Sequence, residues 1–436
     1  MIRSENRSED ALRAHEIITD FVPTAYGSCL IRTGGTRVIC TASVEDGVPP
    51  FLKGRGEGWL TAEYAMLPAS TGRRKQRDGI KKDGRGVEIS RLIGRALRQA
   101  VDRRYLGDRT VTIDCDVLTA DGGTRTAAIT GGYTALCLAV DRLMREGKLR
   151  ESPIIHQVAA VSAGIVDGIP CLDLDYQEDS HAGTDMNLCM NEAGGFIELQ
   201  GTGEGSAFTR AELERLLELG QKGIGELHLL QKDALRDRLR LAEKRTVVIA
   251  SNNSHKVSEI RTMLGDRFRV MSMAEAGFDG DIDENGATFE ENALIKARTI
   301  AQKTGYAALG DDSGLSVDAL LGEPGVYSAR YAGVHGDDAA NNKKLISKLQ
   351  GVPQPWPARF VCAMALCLPG GWSFVRRGEC PGVITEEARG TGGFGYDPHF
   401  LYETGETFAQ MSQEDKNRIS HRARALELMR EGLDTL

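Results

Sequence analysis

Residues Gly310–Gly333 read GDDSGLSVDALLGEPGVYSARYAG, and the second half of the chain is organised around them. Two adjacent carboxylates, Asp311 and Asp312, follow the apolar run Tyr306–Leu309 and precede Ser313-Gly314. That order predicts a short strand over 306–309, with the acids at its end where the chain turns, a common place for ligands in α/β folds. Upstream, TFEENALIKA (Thr288–Ala297) supplies Glu290, Glu291 and Lys296, and downstream comes Arg330. Carboxylate oxygens suit a hard divalent cation and Lys and Arg suit phosphate oxygens, so one reading is a Mg²⁺-phosphate site. Taken alone, Asp-Asp-Ser-Gly reads more readily as a solvated acidic turn.

Working back towards the N-terminus, Thr246–Ala250 (TVVIA) predicts a buried strand, followed by the polar loop Ser251–Lys256 (SNNSHK) and a helix. Strand, small polar loop, helix is the layout of a mononucleotide site. The pattern restarts at Ala242–Arg245 with no Pro/Gly/Ser-rich linker. The expected domains are therefore 1–242 and 243–436, with a helix running almost directly into a strand. A chain of 436 residues is long for one domain, which agrees with that division.

The formal net charge of −8 argues against a generic nucleic-acid sleeve but not against a local basic patch. No apolar run approaches the ~18 residues of a membrane span, and the polar start MIRSENRSED lacks a signal-peptide core. The nine cysteines form no CxxC pair and fall mostly in apolar runs, as expected of reduced core residues in a cytoplasmic protein.

In the first half, Leu30–Ile31 and Val38–Thr41 flank the turn Thr33–Thr36, a hairpin signal. The stretch from Gly72 to Gly86 concentrates Arg73, Arg74, Lys75, Arg77, Lys81, Lys82 and Arg85 in an otherwise acidic chain. It reads either as a solvated loop or as a contact for a phosphate backbone. From Val87 a helical stripe begins (Ile89, Leu92, Ile93, Ala96, Leu97), leaving Arg85 just ahead of the helix. Val111–Val117 alternates as a strand, and the buried helix Ala127–Leu143 follows the turn Gly122-Gly123-Thr124-Arg125. Backbone donors, a hydroxyl and a guanidinium at a helix start can cradle phosphate, although GGTR alone is a weak signal. Val158–Val166 is a buried strand; Asn187–Asn191 and Gly195–Gln200 form a strand pair; 208–240 is helical. Asp179 and Asp185 lie six residues apart around Gly183, able to converge on a metal or a reacting hydroxyl, or to cap nearby backbone.

Residues 1–240 closely resemble ribonuclease PH through RSEDALR, GWLTAEYAMLP, GRGVEISRLIGRALR, ADGGTRTAAITGG, LDLDYQEDSHAGTDMN and the terminal LLELGQKGIGELHLLQKDAL. The resemblance implies a duplicated βαβα fold like a ribosomal protein domain, assembled as a homo-oligomer. It implies a phosphate-dependent 3′→5′ exoribonuclease that trims tRNA precursor 3′ ends, with inorganic phosphate as co-substrate and nucleoside diphosphate as product. Arg85, Gly123, Thr124 and Arg125 would hold the phosphate, Asp179 and Asp185 would be the catalytic pair, and Arg73, Arg74, Lys75 and Arg77 would track RNA. Ala69-Ser70 departs from the basic or Gly residue usual after MLP.

Residues 246–436 resemble the inosine/xanthosine triphosphate pyrophosphatase family through SNNSHKVSEI, TFEENALIKA, the opening stretch, GGFGYDPHF and SQEDKNRISHRARAL. The resemblance implies a two-lobed mixed α/β fold. It implies Mg²⁺-dependent hydrolysis of ITP, dITP or XTP to monophosphate and pyrophosphate. Asp312 would be general base and metal ligand, Glu291 a second metal ligand, and Asp311 a support for both. Ser251, Asn252, Asn253, Ser254, His255, Lys256 and Ser313 would bind substrate, with Asn252 and His255 standing where Gly is usual. The base pocket would be Phe394, Gly395, Tyr396, Asp397, Lys416, His421 and Arg422, with Ser420-His421 alternatively a helix cap carrying a surface histidine. The overall expectation is an α/β (α+β) bifunctional enzyme without a membrane partner. The alternative is that one half is catalytically silent and serves as an RNA-binding or assembly scaffold for the other.

Overall fold

The computed structural model describes residues 3–77, 84–204, 207–252 and 254–436. Lys81, Lys82 and Asn253 lie outside the described residues, as do the side chains of Ser254 and His255. The chain divides into two compact units, 1–243 and 244–436.

The first unit opens with β1 (His15–Thr19), β2 (Gly27–Thr33), β3 (Thr36–Asp46) and β4 (Trp59–Met66), then α1 (Gly84–Arg98), β5 (Arg109–Thr119) and α2 (Thr124–Arg145). The β2–β3 hairpin closes with Thr33 opposite Thr36. These strands form one sheet in the order β1-β2-β3-β5-β4, in which β4 and β5 are parallel and the other pairs antiparallel. A parallel pair needs a crossover, and α1 supplies it with Ile89, Leu92, Ile93, Ala96 and Leu97 buried. The helix starts at Gly84 rather than Val87, so Arg85 stands in its first turn, not ahead of it. The stripe signal begins only at the first buried side chain, and an exposed first turn carries none.

The second half of this unit holds β6 (Val158–Val166), β7 (Ile169–Leu172), α3 (Tyr176–His181), β8 (Thr184–Asn191), β9 (Phe196–Gly203) and α4 (Arg210–Leu235). Its antiparallel sheet runs β7-β6-β8-β9. Helix α2 is buried along most of its length and packs against both sheets. The expected helix 208–240 is shorter: Arg236 takes φ 51° and breaks α4 after Leu235. All nine cysteines of the chain are buried and unpaired.

The second unit comprises β10 (Thr246–Ile249), α5 (Ser254–Leu264), β11 (Arg269–Ser272), α6 (Phe289–Thr304), β12 (Ala307–Val317), α7 (Asp338–Leu349), β13 (Trp356–Cys367), β14 (Ser373–Ile384), β15 (Phe400–Leu401), α8 (Gln413–Ile419) and α9 (His421–Leu433). One mixed sheet runs β11-β10-β12-β13-β14-β15. β10 is parallel to β11 and β12, and the remaining pairs are antiparallel.

One expectation about this unit is corrected. The strand does not stop at Leu309; β12 continues through both carboxylates, paired with β13 from Ala308↔Cys367 to Val317↔Ala358. Gly314 is not a turn glycine. A Cβ there would lie 2.3 Å from Ser328 Oγ and 2.7 Å from the Gly325 carbonyl oxygen. The residue is small because a neighbouring segment presses on the strand, and Ser328 Oγ accepts the Leu315 N–H at 2.9 Å. Among the described residues no helix is long and apolar enough to cross a membrane.

Candidate active sites

The first site is built at the start of α2. Gly122 (φ 74°) and Gly123 (φ 64°) are left-handed, a conformation open to glycine at little cost. A Cβ on Gly122 would sit 2.5 Å from the Leu174 carbonyl oxygen, so glycine lets this turn close onto the segment leading into α3. Thr36 Oγ1 donates to the Gly122 carbonyl at 2.7 Å and accepts the Asp121 N–H at 2.8 Å. Thr124 Oγ1 lies 2.8 Å from Tyr64 OH, and Arg125 donates to Gln200 on β9 at 2.8 Å. Free backbone N–H groups at a helix start, a hydroxyl and a guanidinium thus converge on one spot.

The carboxylates belong to this spot. Asp179 lies in α3, whose start is fixed by a capping box between Asp175 and Glu178. Asp185 lies near the start of β8, opposite Thr202 of β9, two residues from Gln200. Burial, then the neighbouring Asp179 charge, push the Asp185 carboxyl up to about 6, against the pull of Arg125 and Arg85. Asp179 is also raised by burial, opposed by the same two arginines. All four side chains therefore share one electrostatic environment. Arg73, Arg74 and Arg77 are exposed on the irregular segment between β4 and α1, with Lys75 half-buried among them. Ser70, one of the departures after MLP, is buried, and its carbonyl accepts the Ala120 N–H at 2.8 Å. Tyr64 and Gln200 carry no signal outside the structure, because only the fold brings β4 and β9 to the helix start.

In the second unit, alternation along β12 sends its two carboxylates to opposite faces of the sheet. Asp312 faces α6, where Asn292 donates to it at 3.0 Å and Lys296 lies 3.6 Å away. Asp311 faces the other side, 2.9 Å from Lys256 of α5 and 3.6 Å from Arg422 of α9. Burial alone would raise Asp311, but Lys256, Arg422 and Lys296 outweigh it and hold the carboxyl well below the usual range. Asp312 is raised by burial despite Lys296 and Asn292. Two buried acids of identical type are thus split into a fixed anion and a group able to take a proton.

Glu291 is exposed, and its Oε2 accepts the N–H groups of Ala287 and Thr288 in the capping box of α6. The acid whose charge is felt at Asp312 is Glu284, 3.1 Å from Lys296. It sits in an irregular stretch with no motif to mark it. Among the described residues no group of three or more His, Cys, Asp or Glu is arranged to hold a metal. Mg²⁺ does not require one, since it keeps waters and takes one or two carboxylates plus phosphate oxygens. Asp312 and Glu284, both beside Lys296 on the α6 side of the sheet, fit that demand.

Phe394 is 56% exposed, with Lys416 Nζ 4.6 Å from its ring centre. Lys416 also pairs with Asp397, which accepts the Phe394 N–H at 2.9 Å and is raised by burial. Gly395 donates its N–H to Asp338 at 2.7 Å and accepts from Asn342 at 2.8 Å. Tyr396 points away into the core, its hydroxyl donating to the Ser328 carbonyl at 2.8 Å. Ser420 caps α9, but His421 is buried, not a surface residue, and stacks on Phe360 with ring centres 5.0 Å apart. Burial, then Arg422, Lys416 and Lys256, hold its pKa far below the ordinary value, so the imidazole is neutral. Ser313 donates its N–H to Asp312 at 3.1 Å, Ser251 is half-buried beyond β10, and Asn252 is exposed.

Comparison with known proteins assigns both units. Residues 11–140 match the profile of the 3′ exoribonuclease family, domain 1, and residues 156–223 match its domain 2. Residues 247–432 match the Ham1 family. The ribonuclease PH of Neisseria gonorrhoeae is 55% identical over 232 residues, which are 53% of this chain and 96% of that protein. The solved Ham1 protein of Staphylococcus aureus is 41% identical, covering 44% of this chain and 99% of that one, with a TM-score of 0.42. The solved nucleoside-triphosphatase / dITP/XTP pyrophosphatase of Mycobacterium abscessus is 41% identical, covering 42% and 97%, with a TM-score of 0.38. The chain belongs to the ribonuclease PH family through its first unit and carries a Ham1-family unit as its second, two enzymes joined in one polypeptide.

Proposed function

We propose that the first unit phosphorolyses RNA from its 3′ end, with tRNA precursors as substrates, and that the second hydrolyses ITP, dITP or XTP between the α and β phosphates. One observation carries the reading: each unit sets a carboxyl of raised pKa, Asp185 in the first and Asp312 in the second, among basic side chains. Phosphoryl transfer needs positioning and charge neutralisation more than covalent help.

In the first unit, inorganic phosphate binds the N–H groups of Gly123 and Thr124, the Thr124 hydroxyl, Arg125 and Arg85. A phosphate oxygen attacks the terminal phosphorus, the bond to the 3′-oxygen breaks, and nucleoside diphosphate leaves. The departing 3′-oxygen needs a proton, and a carboxyl near 6 with a negative neighbour can supply it close to neutrality. Asp185 is that donor, and Asp179 sets its affinity for the proton. Arg73, Arg74, Lys75 and Arg77 hold the RNA backbone, which makes binding salt-dependent.

In the second unit, Lys256, Lys296 and Ser251 take the triphosphate, with Asn252, Asn253, Ser254, His255 and Ser313 completing the loop contacts. Asp312 accepts a proton from the attacking water. Mg²⁺ would be held by Asp312 with Glu284, or with Glu291 where the capping box yields, and would draw charge from the phosphates. Phe394 stacks on the base, with Asp397, Lys416 and the Gly395-Tyr396 backbone keeping it in place. The neutral His421 and the cation Arg422 are donors for a 6-oxo group, which an adenine amino group would leave unpaired.

A single reaction tests both halves. It contains the protein, Mg²⁺, phosphate, a 3′-extended tRNA and ITP, with nucleotide products separated by anion exchange. Nucleoside diphosphates together with IMP and pyrophosphate are expected. Loss of either set assigns that unit a binding or assembly role instead.

A further inference from the structure

The residues ahead of β1 contribute three arginines, and all are folded onto the segment between β7 and α3. Arg3 meets Glu178 at 2.8 Å and the Leu172 carbonyl at 2.7 Å, and Arg7 meets Glu178 at 3.1 Å. Arg13 differs from both because it spans two elements of the first site. Its Nη2 donates to Asp173 Oδ1 at 2.7 Å, and its Nη1 donates to the Asp121 carbonyl at 2.5 Å. That carbonyl opens the Gly122-Gly123 turn. Asp173 leads, through the capping residue Asp175, to Asp179. The Arg13 backbone N–H donates to the other Asp173 oxygen at 2.8 Å, so one residue engages both oxygens of that carboxylate. The Arg13 side chain is only 2% exposed. A Cβ on Gly123 would lie 3.0 Å from its Nη2, so the turn rests directly on the guanidinium.

We infer that Arg13 is a positioning residue for phosphorolysis: it fixes the phosphate seat at Gly123-Thr124-Arg125 relative to the Asp179–Asp185 pair without reaching substrate itself. The inference rests on the phosphorolytic reading above. A guanidinium can make both bonds because its fork is planar and rigid, whereas an ammonium is a point donor that cannot span the carbonyl and the carboxylate in the same geometry. In-line attack is intolerant of a shifted nucleophile. Thr36 holds the same turn through its own two hydroxyl bonds and gives a second probe, since Thr36→Val keeps the shape and removes both of them.

The test measures phosphorolysis and, separately, inorganic phosphate binding by calorimetry, for the full chain and the variants Arg13→Lys and Thr36→Val. Melting curves report whether each variant is folded. The phosphate KM and Kd are expected to rise about tenfold or more in folded protein, with the RNA KM within about twofold. Unchanged phosphate constants in both variants would overturn the inference. So would a loss of rate that merely follows the fraction of unfolded protein and leaves both KM values alone. Should Arg13→Lys fail to fold, Thr36→Val decides. If the unaltered chain binds phosphate but does not phosphorolyse RNA, the functional reading fails while the Kd comparison still judges Arg13. A chain that binds no phosphate overturns both.

Discussion

Asp185 has a folded-state pKa of about 6 against an ordinary 3.8, raised first by burial and then by Asp179. The folded protein therefore holds this proton more tightly than the unfolded chain does. The resulting stabilisation is complete below 3.8 and is lost as pH rises through about 6. Asp185→Asn removes this dependence. At pH 8 the variant should be more stable than the unaltered chain by about 2 kcal/mol, a figure discounted for partial exposure, and the two should converge near pH 4. Denaturant titrations at both pH values check this; a gap that widens on acidification would contradict the assignment. The same variant should abolish phosphorolysis. In the unaltered chain kcat should fall as pH rises above the range of the Asp179–Asp185 pair, whose steps are shared between the two acids. A second prediction at this scale separates two glutamates. Glu291 is occupied in a capping box, whereas Glu284 lies with Lys296 beside Asp312. Glu284→Gln should raise the Mg²⁺ concentration for half-maximal ITP hydrolysis about tenfold, the scale of a lost ligand-shell carboxylate. Glu291→Gln keeps a capping side chain and should shift it far less. The reverse ranking would return the metal to Glu291.

At the scale of elements, β12 shows why some features were legible and others were not. Val158–Val166 is buried from end to end and apolar but for Ser162, and its expected and observed limits coincide. The stretch 307–317 breaks that pattern with two acids and a Ser-Gly, the usual chemistry of a turn. What keeps it extended is remote in sequence: Lys256, Lys296 and Arg422 neutralise the acids, and the 3₁₀ segment Gly325–Arg330 packs on Gly314. The site residues divide in the same way. Gly123, Thr124 and Arg125 are adjacent and sit in one motif, so they could be chosen together. Tyr64, Gln200 and Glu284 are each ordinary residues in their own stretch, made relevant only by strand register or loop path. The reading of β12 makes its own prediction. Gly314→Ala would place a methyl group 2.3 Å from Ser328 Oγ, and the 3₁₀ segment must move or the strand must bend. Overpacking of this kind costs about 1–3 kcal/mol. Thermal melting should show the transition of the second unit moving down while that of the first stays in place. A glycine serving only a solvent turn would tolerate alanine with no such shift.

For the whole molecule, the two units meet through a connector that is mostly committed to the first of them. After α4 ends, residues 236–242 turn back rather than run straight into β10. Arg238 pairs with Asp20 at 2.7 Å, and Arg240 with Asp141 at 3.0 Å. Ala242 donates to the Ile154 carbonyl at 2.6 Å, and Leu239 and Leu241 pack against the core of the first unit. Asp141 is fully buried, and its other partner is Arg145. The units can therefore be separated after Glu243 but not after Leu235, although the second cut is the one helix limits alone would suggest. Removing Arg240 would leave a buried carboxylate with one cation instead of two, and unpairing such a group costs about 3–5 kcal/mol when complete. A protein ending at Glu243 should melt close to the first transition of the full chain and retain phosphorolysis. One ending at Leu235 should lose on the order of 3 kcal/mol of that stability through the ion pair and the two leucines together. Asp141→Asn should restore part of the loss in the shorter protein, because it removes the charge that the missing arginine no longer balances. Equal melting of the two truncated proteins would mean that residues 236–243 are a passive tether, and that the ion pairs holding them add nothing to the first unit.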